Sequence, residues 1–139
     1  MARQPSISYR NEYKYQLVEN CTVETSIRTD RQIKTEWITL YVDGRLKIQA
    51  GYSWDGPSGP AIDTKSAMRG SLVHDALYQL IRLELLDATW REDADEEYRR
   101  ICLEDGMNPV RAWLHFRALR RFGWLAAQPH ADRPILTAP

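Results

Sequence analysis

The segment Leu72 to Arg82, LVHDALYQLIR, sets a histidine, an aspartate and a tyrosine into an otherwise apolar run. At about 100° per residue, Leu72, Val73, Ala76, Leu77 and Leu80 share one helical face, while His74, Tyr78, Ile81 and Leu85 form the adjacent stripe. His74 is therefore expected to be enclosed between packed elements. A second helical segment places Trp90, Ala94, Tyr98, Ile101 and Cys102 inward, and of its clustered acids only Asp95 borders that face. Glu92, Asp93, Glu96 and Glu97 are expected to point outward, where they favour the positive end of the helix. One carboxylate is thus poised to meet one histidine. A buried carboxylate fixes the tautomer of an imidazole and makes it more basic, as a general base for water activation requires. Asp75 leaves the helix about 100° from His74 and aims at a different neighbour, the glycine-rich loop upstream. One carboxylate with loop carbonyls is an oxygen set suited to a hard cation such as calcium. The same residues also permit a non-catalytic reading, in which His74, Asp95 and Tyr78 form a hydrogen-bonded network that fixes the packing of two helices.

The elements that must hold these groups suggest an α+β fold, with a small N-terminal antiparallel sheet followed by three C-terminal helices around a single core. Residues 1–50 alternate as strands do, in YKYQLVEN, CTVETSIR, EWITLYV and RLKIQAGY. In the last pair Ile38, Leu40 and Val42 fall on one face, and Asp43-Gly44 favours a two-residue hairpin turn. Residues 51–63, GYSWDGPSGPAID, read as an irregular loop because three glycines and two prolines interrupt any ladder. The helices occupy 64–124. The first runs from about Lys65 to Leu86, the second from near Thr89 to just before Gly106, and the third from an Asn108 cap with Pro109 at its first position to a stop at Gly123. Helix two is rich in acids, whereas helix three carries Arg111, Arg117, Arg120 and Arg121 and no acid, so the two are expected to pair their charges in preference to forming a binding patch. Residues 125–139 form an extended, proline-rich tail with Ile135 and Leu136 available for docking.

Composition bounds the function. A chain of 139 residues, 43% hydrophobic with five Trp and seven Tyr, can bury one core and is expected to be one domain over 1–139. Nineteen basic and nineteen acidic residues cancel, which gives no bulk attraction for nucleic acid or anionic lipid. Cys21 and Cys102 fit no metal spacing and suggest a reduced compartment. No apolar run is long enough to span a bilayer and no secretory signal is visible, so the product is expected to be cytosolic when made.

Other polar residues carry weaker signals. Ser58 lies between prolines and lacks the strand-turn-helix context of a nucleophile elbow. Asp55 and Asp63 are loop carboxylates that either cap the first helix or bind metal. His115 and His130 have no partners visible in the sequence, Arg99 and Arg100 are expected to bind acids of their own helix in preference to an anionic substrate, and Trp54 either lines a pocket mouth or covers the sheet.

Taken in order, WDGPSGP, SLVHDALY, ADEEYRR and FRALRRFGW resemble a domain-of-unknown-function family of tailed bacteriophages and prophages, whose members pair an Asp-Gly-x-Ser loop with His-Asp-x-x-Tyr and Ala-Asp-x-x-aromatic helices. The resemblance covers roughly 51–124 and implies a phage origin, but no activity. A more distant similarity is to secreted phospholipase A-two enzymes. It implies His74 as base, Asp95 as its orienting group with Tyr78 in the network, and Asp75 as a calcium ligand beside a loop near Gly56 and Asp55. Leu77 and Ala94 stand where that family has a disulfide, and the loop lacks its cysteines and glycine spacing. Three functional expectations follow. One is a metal-dependent hydrolase of ester bonds in lipid or cell envelope, with loop groups near Gly56 stabilising an oxyanion. Another is a virion or assembly component, such as a tail, baseplate or connector part, contacting other virion proteins through its tail. The third is a small host-interaction factor.

Overall fold

The structure, a computed structural model, describes residues 7, 9–11, 15–56 and 65–129. Seven short strands precede three helices: β1 (Tyr9–Asn11), β2 (Tyr15–Leu17), β3 (Cys21–Glu24), β4 (Ile33–Lys34), β5 (Ile38–Leu40), β6 (Arg45–Ile48), β7 (Ser53–Trp54), α1 (Lys65–Arg82), α2 (Arg91–Glu104) and α3 (Pro109–Ala126). A 3-10 turn at Ala88–Trp90, capped by the Asp87 carboxylate on the Thr89 N–H, leads into α2. The fold is α+β, with N-terminal antiparallel sheets and C-terminal helices.

The strands make two sheets rather than one, ordered β1-β2-β7 and β3-β6-β5-β4, all antiparallel. In the larger sheet Cys21 faces Ile48 and Val23 faces Leu46, while Ile38 and Leu40 oppose Ile48 and Leu46 from the other side. The two-residue period thus gathers these apolar side chains on one buried face. Val42 does not join them. It lies in the turn after β5 and is 49% exposed.

That turn is also longer than Asp43-Gly44 suggests. The Tyr41 N–H donates to the Arg45 carbonyl and the Gly44 N–H to the Tyr41 carbonyl, which leaves three residues in the loop. Gly44 closes it at φ +95°, the usual end of a three-residue hairpin loop. A Cβ there would stand 2.3 Å from the Thr25 carbonyl oxygen, so the third loop position requires glycine. A second departure lies in residues 51–63, where Ser53–Trp54 forms β7 against β2. Trp54 is buried and its indole N–H donates to Ser71 Oγ at 2.9 Å, so it covers the sheet and ties it to α1. Residues 57–64 and 130–139, and with them Ser58, Asp63, His130 and the proposed docking tail, lie outside the described residues.

The principal core runs from both sheets into α1 and α2, and a smaller cluster of Ala67, Tyr98, Cys102, Met107 and Ala112 lies beneath α3. α1 is buried on nearly every side. It ends at Arg82 instead of Leu86, because the following backbone turns through Glu84 at φ 59° and leaves Leu85 exposed while Leu86 returns to the core. α2 approaches α1 closely at Gly70, where a Cβ would meet Cys102 Sγ at 2.8 Å. Both cysteines are free thiols. α3 begins as expected, with the Asn108 side chain accepting from Val110 and Arg111 N–H groups and Pro109 in the first turn, but continues through Gly123 to Ala126.

Candidate functional site

Asp95 is the centre of the polar cluster. Its side chain is fully buried, and a carboxylate so placed is stable only when its oxygens are bonded. His74 Nε2 lies 2.7 Å from Oδ1, and the Tyr78 hydroxyl donates to the same oxygen at 2.6 Å. Arg120 Nη1 donates to Oδ2 at 2.8 Å, and Arg91 Nη1 stands 3.6 Å from it. Burial alone would raise the Asp95 pKa; bonds from His74, Tyr78 and Arg120 outweigh it and hold the carboxyl below its ordinary range. Tyr78 is shifted upward, first by burial and then by its bond to the carboxylate, so it stays a neutral donor.

The helical pattern explains half of this arrangement. Positions 74 and 78 are one turn apart on α1 and face α2, where Asp95 follows the packed Ala94. The rings of His74 and Tyr78 lie 4.0 Å apart between centroids, and Tyr98 meets His74 edge-on at 5.8 Å. The other half comes from residues whose role was not apparent in the sequence. Arg91, four residues before Asp95, also donates to the Tyr78 hydroxyl at 3.2 Å and to the Leu119 and Arg120 carbonyls. Arg120 reaches the site from α3. Gly123, read as a helix stop, is buried mid-helix where a Cβ would stand 2.5 Å from the Tyr78 hydroxyl. The i, i+4 spacing of Arg91 and Asp95 was the available signal; for Gly123 there was none.

With Nε2 committed to Asp95, the other ring nitrogen of His74 carries the chemical potential of the site. Nδ1 has no hydrogen-bond partner among the described residues, and the His74 side chain keeps 8% of its surface accessible. A ring held at Nε2 by a carboxylate and unpartnered at Nδ1 can accept a proton from water that reaches it or donate one to a leaving group.

Asp75 stands apart from this network, partly buried beside the start of the described loop. Burial raises its carboxyl pKa to about 6; the neighbouring Asp55 charge adds to the shift, and His74, Arg82 and a bond from the Asp55 N–H oppose it. Asp55 itself is exposed. Gly56 adopts φ +80°, and its missing Cβ would strike the Tyr15 ring at 2.4 Å, so packing accounts for its glycine. Calcium takes six to eight oxygen ligands. Among the described residues no group of three or more His, Cys, Asp or Glu side chains is placed to hold a metal ion. Asp55 and Asp75 therefore do not make a calcium site by themselves, and no chemical step is derived through a metal.

Several expectations about the surrounding charges change. Glu97 is buried instead of outward, accepting from the Ser26 N–H at 3.1 Å and Ser26 Oγ at 3.0 Å, and so joins α2 to the segment after β3. The acids of α2 mostly do not pair with α3. Arg100 binds Glu97 and Glu104 and Arg99 approaches Glu96, all within the helix, and among the described residues only Asp95 bridges to an arginine of α3. His115 has a partner after all, with Nδ1 2.7 Å from the Tyr98 hydroxyl, and burial together with Arg111 lowers its pKa.

No family model matches the chain, and no curated protein or solved structure matches it. No helix among the described residues is long and apolar enough to cross a membrane.

Proposed function

We propose that the chain is a phage- or prophage-encoded hydrolase of ester bonds, acting on a lipid or cell-envelope substrate with His74 as general base. The observation that carries this reading is the asymmetry of the imidazole, bonded at Nε2 to buried Asp95 and without a hydrogen-bond partner at Nδ1 among the described residues. Nδ1 takes a proton from water, the resulting hydroxide attacks the ester carbonyl carbon, and the proton passes to the departing alkoxide as the carbon–oxygen bond breaks. Asp95 stabilises the transient imidazolium, and Tyr78 and Arg120 position Asp95. The phage origin is supported by the ordered motifs around His74 and Asp95. Hydrolysis of 4-nitrophenyl butyrate and of phospholipid vesicles is the test. His74→Ala is expected to lower turnover by roughly 10²- to 10⁴-fold while the fold survives. Wild-type protein without turnover, with or without calcium, would overturn the reading.

Calcium is a separable part of the proposal, resting on Asp55, Asp75 and Gly56. Calorimetric titration should show heat in the wild type that is lost in Asp75→Asn. Equal heats, or none, remove the metal and leave His74 untouched.

A second reading is favoured by a different observation. Asp95 accepts bonds from α1 and α3 at once, and Arg120 compensates its charge, so the same network can serve solely to clamp three helices. In that case the chain is a virion or assembly component such as a tail, baseplate or connector part. Mass spectrometry of purified particles distinguishes it, since absence of the polypeptide from the mature virion rules out a permanent structural part.

A further inference from the structure

α3 presents to solvent a face that resembles a core. Of its eighteen residues only Ala112 and Gly123 are fully buried, whereas Phe122 is 64% and Val110 67% exposed. Trp113, Leu114, Trp124 and Leu125 are also exposed. At about 100° per residue, Val110, Leu114, Ala118, Arg121 and Leu125 mark the middle of this open face, flanked by Trp113, Arg117 and Trp124 on one side and Phe122 on the other. Scattered exposed apolar residues are ordinary; a contiguous row along a helix about 27 Å long is an interaction surface.

Charge identifies the partner. α3 has four arginines and no acid. Arg120 is spent on Asp95, but Arg117 and Arg121 are exposed and have no ion pair among the described residues; their guanidinium groups lie over the Trp113 and Phe122 rings at 5.7 and 5.6 Å. Packing this face on the α3 face of a second copy would oppose arginines to arginines with no acid on the helix to relieve them. Nucleic acid would use the arginines and rings but leave Val110, Leu114 and Leu125 without a role. A surface with phosphates above and hydrocarbon below suits both sets, because aromatic rings settle at the headgroup level, aliphatic side chains enter below it, and arginine stems extend back to the anions.

We infer that α3 is an interfacial helix that docks the folded protein onto an anionic phospholipid bilayer. At the C-terminal end of α3, Arg82 Nη1 donates to the Ala126 carbonyl at 3.2 Å, and Leu83 and Leu85, which follow Arg82, are themselves exposed. This inference does not use the reactivity of His74, and each reading can fail alone.

Flotation of the full chain with vesicles of phosphatidylglycerol and phosphatidylcholine, against phosphatidylcholine alone, is the experiment, with tryptophan emission as a second readout. Binding to the anionic vesicles, a shift of emission to shorter wavelength and weakening by salt are expected. The pair Arg117→Gln and Arg121→Gln should lower the partition coefficient about 25-fold, near fivefold for each charge. Leu114→Ser with Phe122→Ser should abolish the emission shift, with helicity and Tm retained as the control for folding. No difference between the two vesicle types, or unchanged partition in both variant pairs, would overturn the inference. So would a wild-type dimer that Phe122→Ser dissociates and that ignores vesicles, since the face would then belong to a second copy. Retention by an acidic protein or nucleic acid without vesicle binding would reassign it likewise.

Discussion

Gly123 leaves no room for a methyl group beside Tyr78: a Cβ would stand 2.5 Å from the phenolic oxygen and 3.1 Å from Arg91 Nη1. The close approach of α3 to the Asp95 cluster therefore depends on a residue that disfavours helix. Alanine is worth about 1 kcal/mol more than glycine in a helix interior. Here the clash should reverse the sign, and Gly123→Ala is expected to destabilise by about 1–2 kcal/mol, in the range of overpacked cores. Urea denaturation measures it. A stabilised variant would show that α3 can move away from Tyr78 freely.

Asp95 gives the protein an acid limb. Its folded pKa lies below the ordinary carboxyl value near 3.8, so its contribution is complete above that value and is lost as pH falls through the folded pKa. Stability should be flat in this respect from about pH 7 to 5 and decline below about pH 4. Asp95→Asn should cost about 3 kcal/mol or more at pH 7, as removal of a charge from a buried pair does, and should flatten the acid limb. An unchanged slope would contradict the assignment.

Asp75 works in the opposite direction. Its pKa is raised to about 6, so the folded state holds the proton more tightly than the unfolded state. The contribution is fully present below about pH 4 and is lost as pH rises through about 6, which makes the ionised carboxylate a burden at pH 8. Asp75→Asn in EDTA should raise stability at pH 8 by up to about 3 kcal/mol and change little at pH 4. Equal effects at the two pH values would sink the explanation.

Glu97 should couple a helix to a strand end. It accepts two bonds from Ser26, so Glu97→Ala is expected to cost about 2–3 kcal/mol and Ser26→Ala about 1 kcal/mol. The double variant should cost less than the sum, because the same contact is removed twice. Strict additivity would place the two residues in separate environments.

The parts of this molecule that follow one periodicity were readable in advance. The stripe of His74 and Tyr78, the border position of Asp95 and the alternation of Cys21, Val23, Ile38 and Leu40 each reflect a single element meeting a single core face. What escaped reading depends on two elements meeting. Arg120 finds Asp95 only once α3 docks, and Gly123 looks like a terminator because close approach leaves no signature in its own helix. Glu97 was lost within a run of acids whose outward direction is the usual outcome. β7 was hidden by its glycine and proline neighbours, since a two-residue strand is defined by its partner and not by its own pattern. Overall charge neutrality likewise concealed the local excess on α3.

The burial of α1 on almost all sides, against the single buried edge of α3, sets an order of opening. Amide hydrogens in the middle of α1 are expected to exchange with solvent at the free energy of global unfolding, and those of α3 at a smaller free energy. Asp95 binds to both, through His74 and Tyr78 on one side and Arg120 on the other. Detachment of α3 would take Arg120 away from Asp95 while leaving His74 and, at 3.6 Å, Arg91 in place. The imidazole would then meet two electrostatic surroundings within one folded molecule, in proportions that the exchange of α3 amides against α1 amides measures.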